Sequence, residues 1–220
     1  MLFFLSLFAC QDRSQETPHV ETVKSEKVKK EETSESKPAA VTPKCTYLVK
    51  EAKPEWTAYK YTEKAAVGGT FNTFTLSTPQ KSDSFTKAVE GLSIEIDAAS
   101  VESNNPGRNA TIAGTFFGLF APQNSIKGNV ILARGDEKKG EIQINIDMNG
   151  VQKPYTFGYE NKEGKIVASS VMDMMDFNLT APYDSIHTAC KTLHTGTDGV
   201  AKTWTEVALR VVVSYDKACK

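Results

Sequence analysis

Three side chains that can bind metal ions are spaced three and four residues apart, in the order His187, Cys190 and His194. On one continuous helix this spacing would place them on a single face, which suits zinc or a similar soft cation. A structural zinc site needs four ligands, however, and no other cysteine or histidine lies nearby in the sequence. We therefore expect no metal site.

Paired carboxylates for general acid–base chemistry have one candidate, Asp173 with Asp176. Both follow a predicted strand, where solvated turn carboxylates are common. The chain contains no G-x-S-x-G nucleophile motif, no H-E-x-x-H metal motif and no phosphate-binding loop. We expect a protein with no catalytic residues and no cofactor, which makes it a binding protein and not an enzyme.

The charge balance excludes one large class of partner. The 220 residues contain 26 lysines and arginines against 27 aspartates and glutamates, for a net charge of −1. Nucleic-acid-binding proteins usually carry a basic surplus that neutralises phosphates, so we expect no nucleic-acid partner. No apolar run reaches the roughly 18 residues that a membrane-spanning helix requires, so none is expected.

The N-terminus has the composition of an export signal. Residues 1–9 are hydrophobic and end in a small residue before Cys10. The sequence Leu7-Phe8-Ala9-Cys10 resembles the bacterial lipobox, in which the cysteine is lipidated after cleavage. The alternative is an ordinary cleaved or merely hydrophobic N-terminus, because no lysine or arginine precedes the apolar stretch. We predict a signal remnant, lipidation at Cys10 and a membrane-anchored lipoprotein of the bacterial cell envelope.

Residues 10–43 are predicted to form the lipidated cysteine and a flexible charged linker. The stretch is rich in Glu, Lys, Ser, Thr and Pro and contains no aromatic residue. It therefore cannot bury enough apolar surface to offset the entropy of ordering. A charged helix over 21–35 is the alternative. The globular domain is predicted to cover 44–220.

That domain is dominated by alternating polar and apolar residues, which is typical of half-buried strands. In 141–148 the apolar residues Ile142, Ile144, Ile146 and Met148 would share one face. The pattern predicts eight strands, at 45–62, 67–77, 89–98, 125–134, 140–149, 153–160, 164–173 and 204–216. Two further segments, 107–118 and 181–192, are predicted to be helical or irregular.

Many antiparallel strands in one domain predict an all-β fold, either a sandwich or a closed barrel. Closure would remove the exposed sheet edges. A barrel of eight strands has an interior just wide enough for side chains or for one small ligand.

Several segments resemble the YceI-like family of bacterial secreted proteins. The stretch 67–74 has the form V-x-G-x-F-x-x-F, and 92–100 is similar to the family's I-x-V-x-S strand. Arg108 follows after a turn, with the pair Phe116-Phe117 beyond it. The stretch 148–154 is similar to the family's T-x-x-G-V-x-x-P hairpin. The resemblance covers about 44–216.

Two features depart from the family pattern. Asn109 stands where the family commonly has aspartate, and the segment 181–204 is longer than usual. The ligand end of the barrel is therefore expected to differ from that of other members.

The resemblance implies a lipocalin-like antiparallel eight-stranded β-barrel with one or two short helices. It also implies a binding or carrier protein for a long apolar lipid, such as a polyisoprenoid, an isoprenoid quinone or a fatty-acid derivative. Family members can form homodimers. The alternative function is a structural or stress-related interaction protein of the envelope, with a filled barrel and no ligand.

Inward-facing apolar side chains would line the lipid site, although the same residues could simply pack the core. Lys60 shares a face with Trp56 and would need a partner or a solvated mouth if that face points inward. Arg108 would contact a ligand headgroup, or else pair with a carboxylate or with carbonyl groups. The predicted ligand-binding residues are Trp56, Phe71, Phe74, Phe116, Phe117, Ile144, Ile146 and Met148.

An exported compartment permits disulfides between the remaining cysteines. In a closed antiparallel barrel the first and last strands are neighbours, which would bring Cys45 close to Cys219. Pairing of Cys45 with Cys190 is the alternative.

Overall fold

Antiparallel strands make up most of the chain that our computed structural model describes, which is residues 44–121 and 125–220. The predicted signal segment, Cys10 and the linker lie outside these residues. The strands are β1 Cys45–Lys60, β2 Ala65–Phe71, β3 Phe74–Leu76, β4 Ser93–Asp97, β5 Val101–Glu102, β6 Ser125–Gly135, β7 Lys139–Met148, β8 Val151–Lys162, β9 Lys165–Asp173 and β10 Glu206–Cys219. The α-helices are α1 Phe85–Val89, α2 Pro106–Thr115 and α3 Thr180–Ala189.

All ten strands belong to one sheet, in the order β3-β4-β6-β7-β8-β9-β10-β1-β2-β5. Tight hairpins set much of this order. Asn149-Gly150 joins β7 to β8 and Glu163-Gly164 joins β8 to β9, with positive φ at all four residues. Two central residues with positive φ define the turn whose twist matches that of paired strands. The chain therefore runs from β7 to β10 through neighbouring antiparallel strands.

The first strand pairs with the last. The register between β1 and β10 extends from Cys45 opposite Cys219 to Thr57 opposite Ala208, with one irregularity after Val49. Cys45 and Cys219 form a disulfide, while Cys190, the partner in the alternative pairing, is a free thiol.

The predicted antiparallel β-barrel is confirmed as a curled sheet with few short helices, but the predicted count of eight strands is wrong. The predicted strand 67–77 is interrupted between β2 and β3, and the short strand β5, which the pattern does not predict, follows β4 after a 3₁₀ turn. The Asn72 amide donates to the Ser100 carbonyl (2.9 Å), and the Asp97 amide donates to the Thr73 carbonyl (3.0 Å). These two bonds join the break between β2 and β3 to the end of β4 and the 3₁₀ turn after it. The terminal strands of the sheet, β3 and β5, therefore lie in chain segments that are hydrogen-bonded to each other.

The two longer helices lie close to the segments in which the sequence predicts them. Asn105 caps α2 by accepting a hydrogen bond from the Arg108 amide (2.9 Å), and Pro106 occupies the first turn. The five-residue helix α1 is not predicted by the pattern; Ser84 caps it by accepting from the Lys87 amide. Within the described part of the chain, no helix is both long and apolar enough to cross a membrane.

One end of the curled sheet is closed by aromatic rings. Phe85 at the start of α1 is fully buried, and its ring centroid lies 5.5 Å from that of Tyr159 and 5.3 Å from that of Tyr215. The Tyr159 hydroxyl donates to the Asp136 carbonyl (2.6 Å), so its polar atom is satisfied. This plug lies at the end of β1 where Cys45 begins the strand.

We predict that the disulfide contributes measurably to the free energy of unfolding. It links residues 174 apart, so its loss would enlarge the unfolded ensemble and lower the free energy of unfolding by about 2–4 kcal/mol. We expect this loss for Cys45→Ser with Cys219→Ser in denaturant unfolding. Cys190→Ser, which removes only the free thiol, serves as the control, and equal stability of the two variants would contradict the assignment.

Candidate functional site

A cavity of about 740 Å³ lies inside the curled sheet. Its wall is formed by the inner faces of the strands and by residues of α2, α3 and the segment that leads into β10. The volume falls within the roughly 300–1,000 Å³ that is usual for small-molecule sites. The apolar lining includes Val49, Ala52, Trp56, Ala58, Val67, Phe71, Leu76, Leu92, Ile94, Ile96, Ile112, Phe116, Phe117, Val130, Ile142, Ile144, Ile146, Met148, Phe157, Met172, Val207, Leu209, Val211 and Val213.

Seven of the eight predicted ligand-binding residues lie on this wall. On β7 the alternation places Ile144 between two buried neighbours on the same face, Ile142 and Ile146. Ile144 itself is only half-buried, because part of its side chain borders the cavity. The seven residues are Trp56, Phe71, Phe116, Phe117, Ile144, Ile146 and Met148.

Phe74 is the predicted residue that is not on the cavity wall. It lies opposite Ile96 in the β3–β4 ladder and packs against the hydrophobic core while remaining half-buried. The sequence predicted one continuous strand over 67–77, on which Phe71 and Phe74 would point to opposite faces. Alternation along one strand therefore cannot bring both rings to the cavity, and Phe71 is the one that lines the wall.

The ring of Trp56 is held against the neighbouring strand. Its indole nitrogen donates to the Thr70 carbonyl (3.3 Å), and its partner across the β1–β2 ladder is Gly69. A Cβ atom at Gly69 would lie 2.4 Å from the ring carbon Cζ2 of Trp56 and equally close to the Glu102 carbonyl oxygen. Only glycine leaves room for the ring at this place, which explains one of the two glycines in the V-x-G-x-F stretch.

Four phenylalanines form a cluster beside the cavity. The ring centroids of Phe116 and Phe117 are 5.1 Å apart, and each lies 5.2–5.4 Å from that of Phe120. Phe71 joins through Phe117 at 6.0 Å. These edge-to-face contacts add roughly 0.5–1.5 kcal/mol per pair beyond area burial. Phe120 was missed at the sequence level, although it follows the aromatic pair by three residues.

The cavity has a small polar region at the other end of β1 from the aromatic plug. Lys60, Cys190 and His194 all line it. Nδ1 of His187 and Nδ1 of His194 both hydrogen-bond to the Thr203 hydroxyl, at 3.0 and 2.7 Å. The closely spaced histidines are therefore joined through a threonine, and residues 44–121 with 125–220 contain no group of three metal-ligating side chains.

Burial controls the protonation of two of these groups. Desolvation, followed by the nearby Lys60 ammonium, lowers the pKa of His194 below its usual 6.5. Desolvation also raises the pKa of the Cys190 thiol, and the Lys60 charge only partly opposes the shift. Both groups are therefore neutral at pH 7, and the thiol is not activated as a nucleophile.

Arg108 reaches the cavity wall while bonded to its own loop. Its Nε donates to the Ser103 hydroxyl (2.8 Å) and its Nη2 to the Ser103 carbonyl (2.7 Å). Asn109 accepts from the Ser103 amide and donates its own side-chain amide to Glu102 (3.0 Å). An aspartate at 109 could not make the second bond, so the departure from the family pattern suits the neighbouring Glu102.

The two aspartates considered for acid–base chemistry have separate partners. Asp176 accepts from the Tyr155 hydroxyl (2.6 Å) and forms an ion pair with Lys153. Asp173 accepts from the Met175 amide (2.9 Å) and from Thr205. Neither carboxylate lines the cavity.

The shifted pKa of His194 predicts a pH dependence of stability. A base whose folded-state pKa is lowered binds fewer protons when folded, so its contribution is complete above pH ~6.5 and is lost as the pH falls below it. We expect the free energy of unfolding of the wild type to fall more steeply below that pH than that of His194→Gln. Denaturant unfolding at several pH values measures both slopes, and parallel slopes would contradict the burial of His194.

Comparison with known proteins shows which family and which solved structures this chain is similar to. The family described as the YceI-like domain matches residues 46–214. A polyisoprenoid binding domain from Saccharophagus degradans, implicated in plant cell wall breakdown, is 14% identical with a TM-score of 0.54, covering 78% of this chain and 98% of its own. The Campylobacter jejuni YceI protein is 17% identical with a TM-score of 0.50, covering 73% and 89%.

No curated protein matches the sequence. At these identities the two solved structures show a shared fold and nothing more about function. The family match, in contrast, runs over most of the chain, from the first residues of β1 to the last part of β10. The protein therefore belongs to the YceI-like family.

Proposed function

We propose that this protein binds one long apolar lipid inside its barrel and sequesters or carries it, without a chemical step. The lipid would be a polyisoprenoid, an isoprenoid quinone or a fatty-acid derivative. The observation that carries the proposal is the cavity of about 740 Å³ with its predominantly apolar wall.

The energetics of such a site favour a chain-like ligand. Each methylene moved from water onto an apolar wall contributes about 0.8 kcal/mol, so a long chain gains affinity along its whole length. The wall supplies Ile144, Ile146 and Met148 from one strand and Val207, Leu209 and Val211 from another. An apolar cavity of this size is otherwise a loss of packing that destabilises the fold.

The comparisons support the same function. The Saccharophagus degradans structure that shares this fold is described as a polyisoprenoid binding domain. The alternative function, an envelope interaction protein with a filled barrel, requires an interior occupied by its own side chains. The cavity argues against that alternative.

We further propose that the barrel is attached to the bacterial envelope through Cys10. The support is the lipobox-like sequence Leu7-Phe8-Ala9-Cys10, which lies outside the described residues. Two or three acyl chains give stable membrane attachment, because each buried methylene adds about 0.8 kcal/mol. The proposal places the lipid-binding barrel beside a membrane that contains its ligand. A homodimer remains an expectation from the family resemblance.

Filling the cavity tests the binding function. Ile144→Trp would occupy the space that the chain of the lipid needs, and we expect bound lipid to fall roughly tenfold or more, because the loss of two buried methylenes suffices. Organic extraction with mass spectrometry measures the lipid carried by the purified protein. Ile131→Trp, at a site 51% exposed on β6, is the matched control. Wild-type protein that neither carries nor takes up an apolar chain would refute the function.

Replacing the lipidation site tests the attachment. Cys10→Ser should move the protein from the membrane fraction to the soluble fraction of bacterial cells, because no thioether to diacylglycerol can form. Immunoblots of the two fractions and the mass of the mature N-terminal peptide report the result. Cys190→Ser is the control. Equal membrane association of both variants would show that Cys10 is not the anchor.

A further inference from the structure

We propose that Lys60 forms a subsite for an anionic headgroup, with Arg108 as a second cation on the same cavity wall, so that the ligand is a single-chain amphiphile ending in a carboxylate or a phosphate. The inference rests on the proposed function, since it assigns the polar end of the same cavity. It narrows the ligand from any apolar lipid to an acidic one.

Lys60 is the last residue of β1, and it lies on the cavity wall at the end opposite the aromatic plug. It lies on the same face as Trp56 and Ala58, all three of which line the cavity. Its ammonium sits 4.5 Å from the centroid of the Tyr61 ring. Among the described residues, no carboxylate lies within ion-pair distance of Lys60.

The groups packed around Lys60 do not neutralise it. The Lys60 charge lowers the pKa of both Cys190 and His194, but burial has the larger effect on each and keeps both groups neutral at pH 7. Thr203, which forms a backbone bridge with Lys60, contributes only a hydroxyl that is already bonded to two imidazoles. The ammonium is therefore the charged group of this polar region.

Apart from Arg108, each of the remaining charged residues on the wall forms an ion pair with a residue of opposite charge. Glu55, the carboxylate of the lining, is bonded to Arg210. Lys127 pairs with Glu95 at 3.3 Å. This leaves Lys60 and Arg108 as the cations of the cavity wall without a carboxylate partner in the described part of the chain.

Arg108 has donors left for a ligand. A guanidinium carries five N–H donors, and the structure shows two of its nitrogens, Nε and Nη2, bonded to Ser103. Arg108 is on α2, which packs against α3, the helix that ends beside Cys190. Its contacts to Ser103 fix the side chain in place, so the remaining N–H groups are held ready at low entropic cost.

Physical chemistry then selects the headgroup. A cation beside an apolar cavity loses hydration, and the loss is offset only when an opposite charge bonds to it. A carboxylate or phosphate supplies that charge and accepts several hydrogen bonds, whereas an alcohol offers one neutral oxygen. The apolar chain would fill the cavity towards the aromatic plug at Phe85, and the anion would remain at Lys60.

The test compares three probes with the same tail: geranylgeranoic acid, geranylgeranyl phosphate and geranylgeraniol. Quenching of tryptophan fluorescence in the full chain gives each Kd. We expect the two anions to bind about tenfold or more tightly than the alcohol, since a hydrogen bond to a charged group contributes that much. Lys60→Met should remove most of this preference, measured as the ratio of the Kd for the alcohol to the Kd for each anion, and Lys60→Arg should retain it.

Lys127→Met is the matched control, because Lys127 also borders the cavity but is paired with Glu95. A stronger preference for the acid or for the phosphate identifies the headgroup, and either supports the inference. Equal affinity for all three probes, or a preference that survives in Lys60→Met, would overturn the subsite and leave lipid binding standing. Failure of all three to bind would overturn the proposed function as well.

Discussion

The pairing of the first strand with the last determines everything else in this fold. β1 and β10 are separated by most of the domain, and bringing them together costs loop-closure entropy that only a long ladder can offset. The ladder runs from Cys45 opposite Cys219 to Thr57 opposite Ala208. It converts a meander with exposed edges into a curled sheet with an inner face. It also places Trp56, which lines the cavity, opposite Leu209.

The side chains on the inner face that this pairing creates do not fill the space that the curled sheet encloses. Apolar walls without contact partners forfeit dispersion energy, so the cavity is a standing cost to the folded state. Other contacts compensate for that cost: the aromatic plug around Phe85, the phenylalanine cluster at Phe117 and the disulfide. A ligand that binds only the folded state would return part of the loss by mass action. Stability and lipid binding are therefore linked through the same unfilled volume.

The sequence predicted the strands well where alternation is uninterrupted, as over 141–148, and where glycine turns separate them, as at 149–150. It failed at the breaks near 72 and 98, because a local pattern cannot show where two paired strands bend together. Phe74 was misplaced for a different reason: it is three positions from Phe71, and alternation along one strand puts such residues on opposite faces. The sequence also could not predict the polar region of the cavity, because Lys60 and His194 are distant in sequence. Only the packing of the segment after α3 against β1 brings them to one cavity.

The two ends of the cavity differ in chemistry, and the difference gives the site a direction. At the Cys45 end, rings of Phe85, Tyr159 and Tyr215 close the sheet with their polar atoms bonded to protein. At the other end, Lys60 borders the cavity without a carboxylate partner among the described residues. An apolar chain gains most by lying towards the aromatic rings, and a polar group gains most beside Lys60. With the proposed headgroup subsite at Lys60, a ligand with a single headgroup would have one favourable orientation, its tail towards Phe85, and helix α1 and the end of strand β1 create the asymmetry that fixes it.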